Sequence, residues 1–305
     1  MESHAPFPKA LPRFRPPAGT TDCHLHIFGP YARFPLQPNR SFTPPEALLA
    51  DYERLMKALG IERCVVVQPS PFGTDNSCTE DAVERLGPIA RGVAVLGPDV
   101  EEATLKRLDR VGFRGVRLNL LFKGGIPIEA MEPLAKRLAP YGWHIQLLLD
   151  ARTLPDLAPR LRALPVDIVI DHMGYMPVSV GMNSPAVDTM RRLLGEGRTW
   201  VKLSGSYAVT VDGPPMPTPR RLRARCWRRR PIVASGAPTG PIRRPRARCP
   251  TMPSCSTSCR PGPPTRHCNG SCSATIRRCF TGSTGSRSTP RFLLRLFRPV
   301  GAGSL

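Results

Sequence analysis

Between residues 20 and 207, short apolar runs alternate with longer stretches whose apolar positions recur every three or four residues. The runs are TDCHLHIFG (20–28), ERCVVVQPS (62–70), ARGVAVLGP (90–98), FRGVRLNL (113–120), WHIQLLLD (143–150), VDIVIDHMG (166–174) and TWVKLSGSY (199–207). Most are nearly continuous in Val, Ile and Leu, which predicts strands buried on both faces. The stretches between them are PPEALLADYERLMKALG, CTEDAVERLG, EEATLKRLDRVG, IEAMEPLAKRLAPYG, LPDLAPRLRAL and SPAVDTMRRLLGEG. Their spacing predicts helices, several of them stopped by glycine. Such alternation predicts an α/β protein, with a parallel sheet covered by helices. Seven strands fall one short of a closed (β/α)8 TIM barrel. An open doubly wound sheet is the competing layout, but no glycine-rich phosphate loop follows the first run. Polar residues gather instead at the C-terminal ends of the strands, where barrel enzymes hold their chemistry.

Beyond residue 215 both periodicities stop. The whole chain of 305 residues has a net charge of +21, from 44 basic and 23 acidic residues. Residues 216–305 hold 19 of the basic ones, all arginine, and no acidic one, while 1–215 carry only +2. Seven of the ten cysteines also fall after residue 215. The chain therefore divides into an incomplete barrel domain (1–215) and an Arg/Pro/Cys-rich tail (216–305), expected to be disordered. Zinc binding by Cys255, Cys259, Cys268 and Cys272, with His267 nearby, would suit the spacing but finds almost no apolar residues to build a core. The arginines of 220–230 would attract phosphate at low salt, but no specific nucleic-acid partner is expected. The N-terminus lacks the apolar run of a signal peptide, and no stretch is long and apolar enough for a membrane span. A cytoplasmic setting with reduced thiols and no membrane partner is expected.

The genetic code accounts for the tail. If the third base of each codon is read with the first two of the next, Ala234–Arg243 permits Phe-Trp-Gly-Thr-Asp-Trp-Pro-His-Pro. The same shift from Pro215 permits an amphipathic helix, and Ser273–Ser283 permits Asp-Asn-Pro-Ala-Leu-x-Tyr-Gly-Phe. Three segments in one register, each supplying a missing barrel element, point to a frameshift near Pro214–Met216. The last strand and closing helix of the barrel are then lost from this chain.

The chemistry begins in DCHLHIFGP. His24 and His26 stand two apart on a strand and share one face, so at a barrel mouth their imidazoles converge, as a metal or a polarised carbonyl requires. The same pair would also serve merely to cap a strand. His172, preceded by Asp171 in IDHMG, adds a third strand-end histidine, and three favour an active site.

In order along the chain, DCHLHIFGP, VVVQPSPFGTDNS, RGVRLN, WHIQL, IDHMG and KLSGSY resemble the amidohydrolase superfamily in its amidohydrolase-2 branch. Within it the chain is similar to the 2-pyrone-4,6-dicarboxylate hydrolases and related lactone hydrolases. The resemblance implies a (β/α)8 barrel hydrolase in which strand-end histidines and a final-strand aspartate surround a catalytic water. It implies either no cofactor or one divalent metal such as zinc, which His24, His26 and His172 would hold. That aspartate would straddle the codons of Pro238 and Thr239 in the shifted frame, so this chain lacks it and is expected to be impaired.

A small carboxylate substrate is expected, with Arg117 clamping a carboxylate and Lys123 offering a second cation. Ser70, Thr74 and Asn76 offer hydroxyl and amide donors, although that loop also has the residues of an ordinary turn. Gln146 and Tyr207 point from strand ends. Phe42 and Ala208 depart from the dicarboxylate pattern, where Tyr and Arg are expected, which leaves another lactone or a related acid open. A decarboxylase of the same branch and an inert remnant or binding protein are the alternatives.

Overall fold

The computed structural model describes residues 16–122, 125–181, 183–205 and 231–232. Seven strands follow the apolar runs: β1 (Thr21–Leu25), β2 (Arg63–Val67), β3 (Ala90–Ala94), β4 (Phe113–Asn119), β5 (His144–Leu148), β6 (Ile168–Ile170) and β7 (Thr199–Lys202). Each pairs in parallel with the next, in chain order. Between them run α1 (Leu49–Leu59), α2 (Ser77–Leu86), α3 (Glu102–Val111), α4 (Met131–Leu138), α5 (Leu154–Ala163) and α6 (Pro185–Glu196). This is the strand–helix repeat of a TIM barrel.

An eighth strand was expected to be lost. A two-residue strand, β8 (Pro231–Ile232), pairs with Val201 and Lys202 of β7. Among the described residues no ladder joins β8 to β1, so the curled sheet keeps a seam between them.

Side-chain alternation explains the curl. Cys23, Val65, Val67, Val93, Val169 and Trp200, from β1, β2, β3, β6 and β7, form one buried apolar cluster. Strands that far apart in the sheet order meet only across the inside of a curved sheet. Their neighbours Cys64, Val66, Val116, Leu118, Ile145, Leu147, Ile168, Ile170 and Val201 join a second cluster with the helices, including Leu105, Leu108, Leu134 and Leu138. Both strand faces are thus covered, as continuous apolar runs require.

Two boundaries differ from the expected ones for identifiable reasons. Helix α1 starts at Leu49 rather than at the preceding prolines, because Ala47 is drawn into an antiparallel bridge with Phe28. The run expected as a strand over 166–174 ends at Ile170. There the chain turns through four successive left-handed residues, His172 (φ 50°), Met173 (φ 55°), Gly174 (φ 68°) and Tyr175 (φ 47°). Each non-glycine residue in that region costs about 1–2 kcal/mol, so packing must hold the turn: Met173 is fully buried and Gly174 lies against Ala151.

Candidate active site

The C-terminal ends of β1, β4, β5, β6 and β7 bring His24, His26, Arg117, Gln146, Asp171, His172 and Lys202 together. Asp171 is the hub and is fully buried. Its Oδ2 accepts from Arg117 Nε at 2.9 Å and from Gln146 Nε2 at 2.9 Å. Its Oδ1 lies 3.3 Å from Lys202 Nζ and 3.4 Å from His24 Nδ1, ion-pair separations without hydrogen-bond alignment. Burial pushes the Asp171 carboxyl up, but Lys202, His24 and Arg117 together hold it well below the usual carboxylate range.

His24 is aimed by a bulge. The register of β1 against β2 shifts between Asp22 and Leu25, so Cys23 and His24 both turn inward. Asp22 Oδ1 takes over the freed His24 amide at 3.1 Å, while its Oδ2 accepts from Tyr52 of α1 at 3.2 Å. His26 lies just past the strand, with Nδ1 2.7 Å from the Val67 carbonyl and Nε2 3.3 Å from His24 Nε2. His172 enters from the left-handed turn. Its Nδ1 lies 2.9 Å from Ser204 Oγ, and its ring centroid is 4.6 Å from that of His24. Gly205 backs this ring so closely that a Cβ there would come within 2.7 Å of the His172 Cβ.

Burial keeps these rings neutral. It holds His24 well below its ordinary value, His26 and His144 near 3 (both down to about 3), and His172 down to about 4. Burial also pushes the Asp22 carboxyl up to about 7. These shifts set the pH dependence of stability. A histidine whose folded pKa is depressed binds protons only in the unfolded chain, so stability falls as pH drops below about 6.5. Asp22 acts oppositely, because its raised value favours the fold as pH falls from about 7 towards 4. Four histidines outweigh one carboxyl, so the urea midpoint should be lower at about pH 5 than at about pH 7.5. An unchanged or higher midpoint at the lower pH would refute the neutral-histidine assignment.

Several expected site residues have other tasks. Gln146 bridges Asp171 and Lys202, its Nε2 donating to Asp171 and its Oε1 accepting from Lys202 Nζ at 2.7 Å. Asn76 is committed to its loop: its amide donates to the carbonyls of Thr74 and Val95 and accepts from the Val95 amide. Ser70 Oγ accepts from Asn119 Nδ2 at 3.0 Å at the end of β4. Thr74 is exposed. Lys123 and Tyr207 lie outside the described residues.

Lys202, Asp171 as the hub, Asp22 and Ser204 are the residues that sequence reasoning missed. Lys202 had a signal, since a lone charge inside the apolar run TWVKLSG, on the inward parity with Trp200, is expensive unless paired.

For a divalent metal, the sequence pointed to His24, His26 and His172. The geometry groups His24, Asp171 and His172 instead, each with a donor atom within 4.8 Å of the others. That set does not fit a divalent ion as it stands. The Lys202 ammonium lies 3.0 Å from His24 Nδ1 and 3.3 Å from Asp171 Oδ1, so these donors already face a cation.

A parallel barrel with imidazoles, an arginine and a lysine converging at its C-terminal mouth has the layout of a barrel enzyme. The family profile described as Amidohydrolase matches residues 21–235, and the chain belongs to that family. It is 37% identical over 206 residues to a 2-pyrone-4,6-dicarboxylate hydrolase of Comamonas testosteroni, covering 67% of this chain and 68% of that protein. It is 33% identical over 205 residues to a 4-sulfomuconolactone hydrolase of Hydrogenophaga intermedia, covering 66% and 68%. A solved structure from Pseudomonas putida superposes with a TM-score of 0.64 at 33% identity, covering 72% of this chain and 83% of that one. Among the described residues no helix is long and apolar enough to cross a membrane.

Proposed function

We propose that this chain derives from a hydrolase of small carboxylated lactones, of the 2-pyrone-4,6-dicarboxylate type, and that it is impaired as it stands. The observation that carries this reading is the charge of the buried mouth. With the histidines neutral, one carboxylate, Asp171, faces two cations, Arg117 and Lys202. The excess positive charge suits a substrate carboxylate and the oxyanion that forms as water adds to a lactone carbonyl. Arg117 spends only its Nε on Asp171, and no described residue bonds either Nη, leaving a fork for a carboxylate.

Hydrolysis also needs a base for the proton of the attacking water. Asp171 is unsuited, because its counter-charges hold it ionised and its oxygens face inward to them. Asp22 has a value near 7 but sits behind the strand, on Tyr52 and the His24 amide. His172, held down to about 4, is a weak base. In this reading the missing group is the aspartate that the shifted codons of Pro238 and Thr239 permit. With it present, water adds to the carbonyl as the aspartate takes one of its protons. The ring C–O bond then breaks as that proton passes to the departing oxygen, giving an enol or alcohol and a carboxylic acid that ionises to the carboxylate. Lys123, Ser70, Thr74 and Tyr207 complete the substrate contacts in this reading. The molecule acts in the cytoplasm on a small acid, without a nucleic-acid or membrane partner.

The test offers 2-pyrone-4,6-dicarboxylate and 4-sulfomuconolactone to the purified chain and to a version with the frame restored. Loss of lactone absorbance with acid release in the restored version supports the reading. Carbon dioxide release in place of ring opening would identify a decarboxylase, and no turnover of either lactone by either version would overturn the lactone assignment.

A further inference from the structure

Lys202 is among the most buried polar side chains of the described residues, at 2% exposure. Its ammonium carries three protons. It meets three acceptors: Gln146 Oε1 at 2.7 Å, His24 Nδ1 at 3.0 Å, and Asp171 Oδ1 at 3.3 Å as an ion pair. These come from β5, β1 and the turn after β6, so one side chain of β7 gathers acceptors from three other elements. The His24–Asp171 separation of 3.4 Å is one that two ligands of a tetrahedral metal would also show. A lysine ammonium therefore stands where the donor set would otherwise face a metal.

The consequence runs outward along a chain of hydrogen bonds. An ammonium donating to His24 Nδ1 requires a lone pair there, so the neutral ring carries its proton on Nε2. That N–H points at His26 Nε2, 3.3 Å away, whose ring then holds its own proton on Nδ1 and donates it to the Val67 carbonyl at 2.7 Å. Every ring nitrogen of the His24/His26 pair is satisfied without a metal, in one consistent set of tautomers.

We propose that Lys202 is a positioning residue that replaces a divalent metal in this site, fixing the tautomer of both mouth histidines and supplying the fixed positive charge behind them. The role holds whichever lactone, or none, is the substrate.

Cobalt(II) titration of the full chain, followed by visible absorption, tests it together with nitrogen-15 NMR of the histidine rings. The wild type should take up no cobalt at the histidines and should show His24 protonated on Nε2. Lys202→Met should bind cobalt more than tenfold tighter, a change of at least about 1.4 kcal/mol, and lose the single tautomer. His24→Ala in that background should abolish the gain. Lys202→Arg, which keeps a cation, should bind no cobalt. Cobalt bound equally by wild type and Lys202→Met, or by neither, overturns the replacement. So does a wild-type His24 ring protonated on Nδ1, a measurement that decides the matter even if Lys202→Met fails to fold.

Discussion

Restoring the reading frame after Pro214 should raise lactone turnover about 10²–10⁴-fold over the present chain, the range a positioned general base contributes. In the proposed reading, the mouth holds the groups that receive negative charge, and a proton acceptor of suitable strength is missing among the described residues. In that reading, the restored frame would supply that acceptor as the aspartate permitted across the codons of Pro238 and Thr239. Initial rates on 2-pyrone-4,6-dicarboxylate at neutral pH, from the two chains side by side, measure the effect. Equal rates would remove the missing base as the cause of impairment, and stop codons in the shifted frame before the Ser283 codon would remove the frameshift itself.

The second large effect is on stability. Asp171→Asn should destabilise the fold by about 3–5 kcal/mol, the usual result of stripping a buried ion pair of one partner. The amide preserves shape and still offers an oxygen, but Arg117 and Lys202 lose the only carboxylate within ion-pair reach among the described residues. Urea unfolding at neutral pH measures it, and a change below about 1 kcal/mol, the usual worth of an exposed pair, would mean that the centre is solvated rather than closed. In the wild type this stabilisation is present above the unfolded value of about 4 and lost only as pH falls through the folded value, well below it. Asp22→Asn is the matched control. Burial raises the Asp22 carboxyl to about 7, so ionising it opposes folding, and the amide should be neutral or stabilising above that pH. Two buried aspartates thus give opposite answers to one chemical change.

Both results bear on how much the sequence reveals. The alternation of apolar runs with helical spacing was enough for the barrel, because strands covered on both faces are largely apolar, as Cys64–Val67 and Ile168–Ile170 are. The three histidines were legible because strand ends face the mouth. What was not legible depends on departures from regular geometry. The bulge at Asp22–Leu25 decides that His24 and Cys23 face the same way, and no periodicity announces it. The left-handed run after Ile170 sets where His172 lies, although only Gly174 hints at it. Asn76 and Gln146 read equally well as ligand donors, and only the distances to Val95, Asp171 and Lys202 show where their amides are spent. Lys202 was overlooked because a strand lysine is commonly a solvated one.

That left-handed run has a wider consequence. Had His172 been carried on the β6 ladder, any adjustment of its ring would have needed a change of pairing along the whole sheet. Standing beyond the last ladder residue, it is set by its own left-handed turn and by its contacts with Ser204, Gly205 and His24. Reactivity at this corner can therefore drift in small steps while the architecture beneath it stays put.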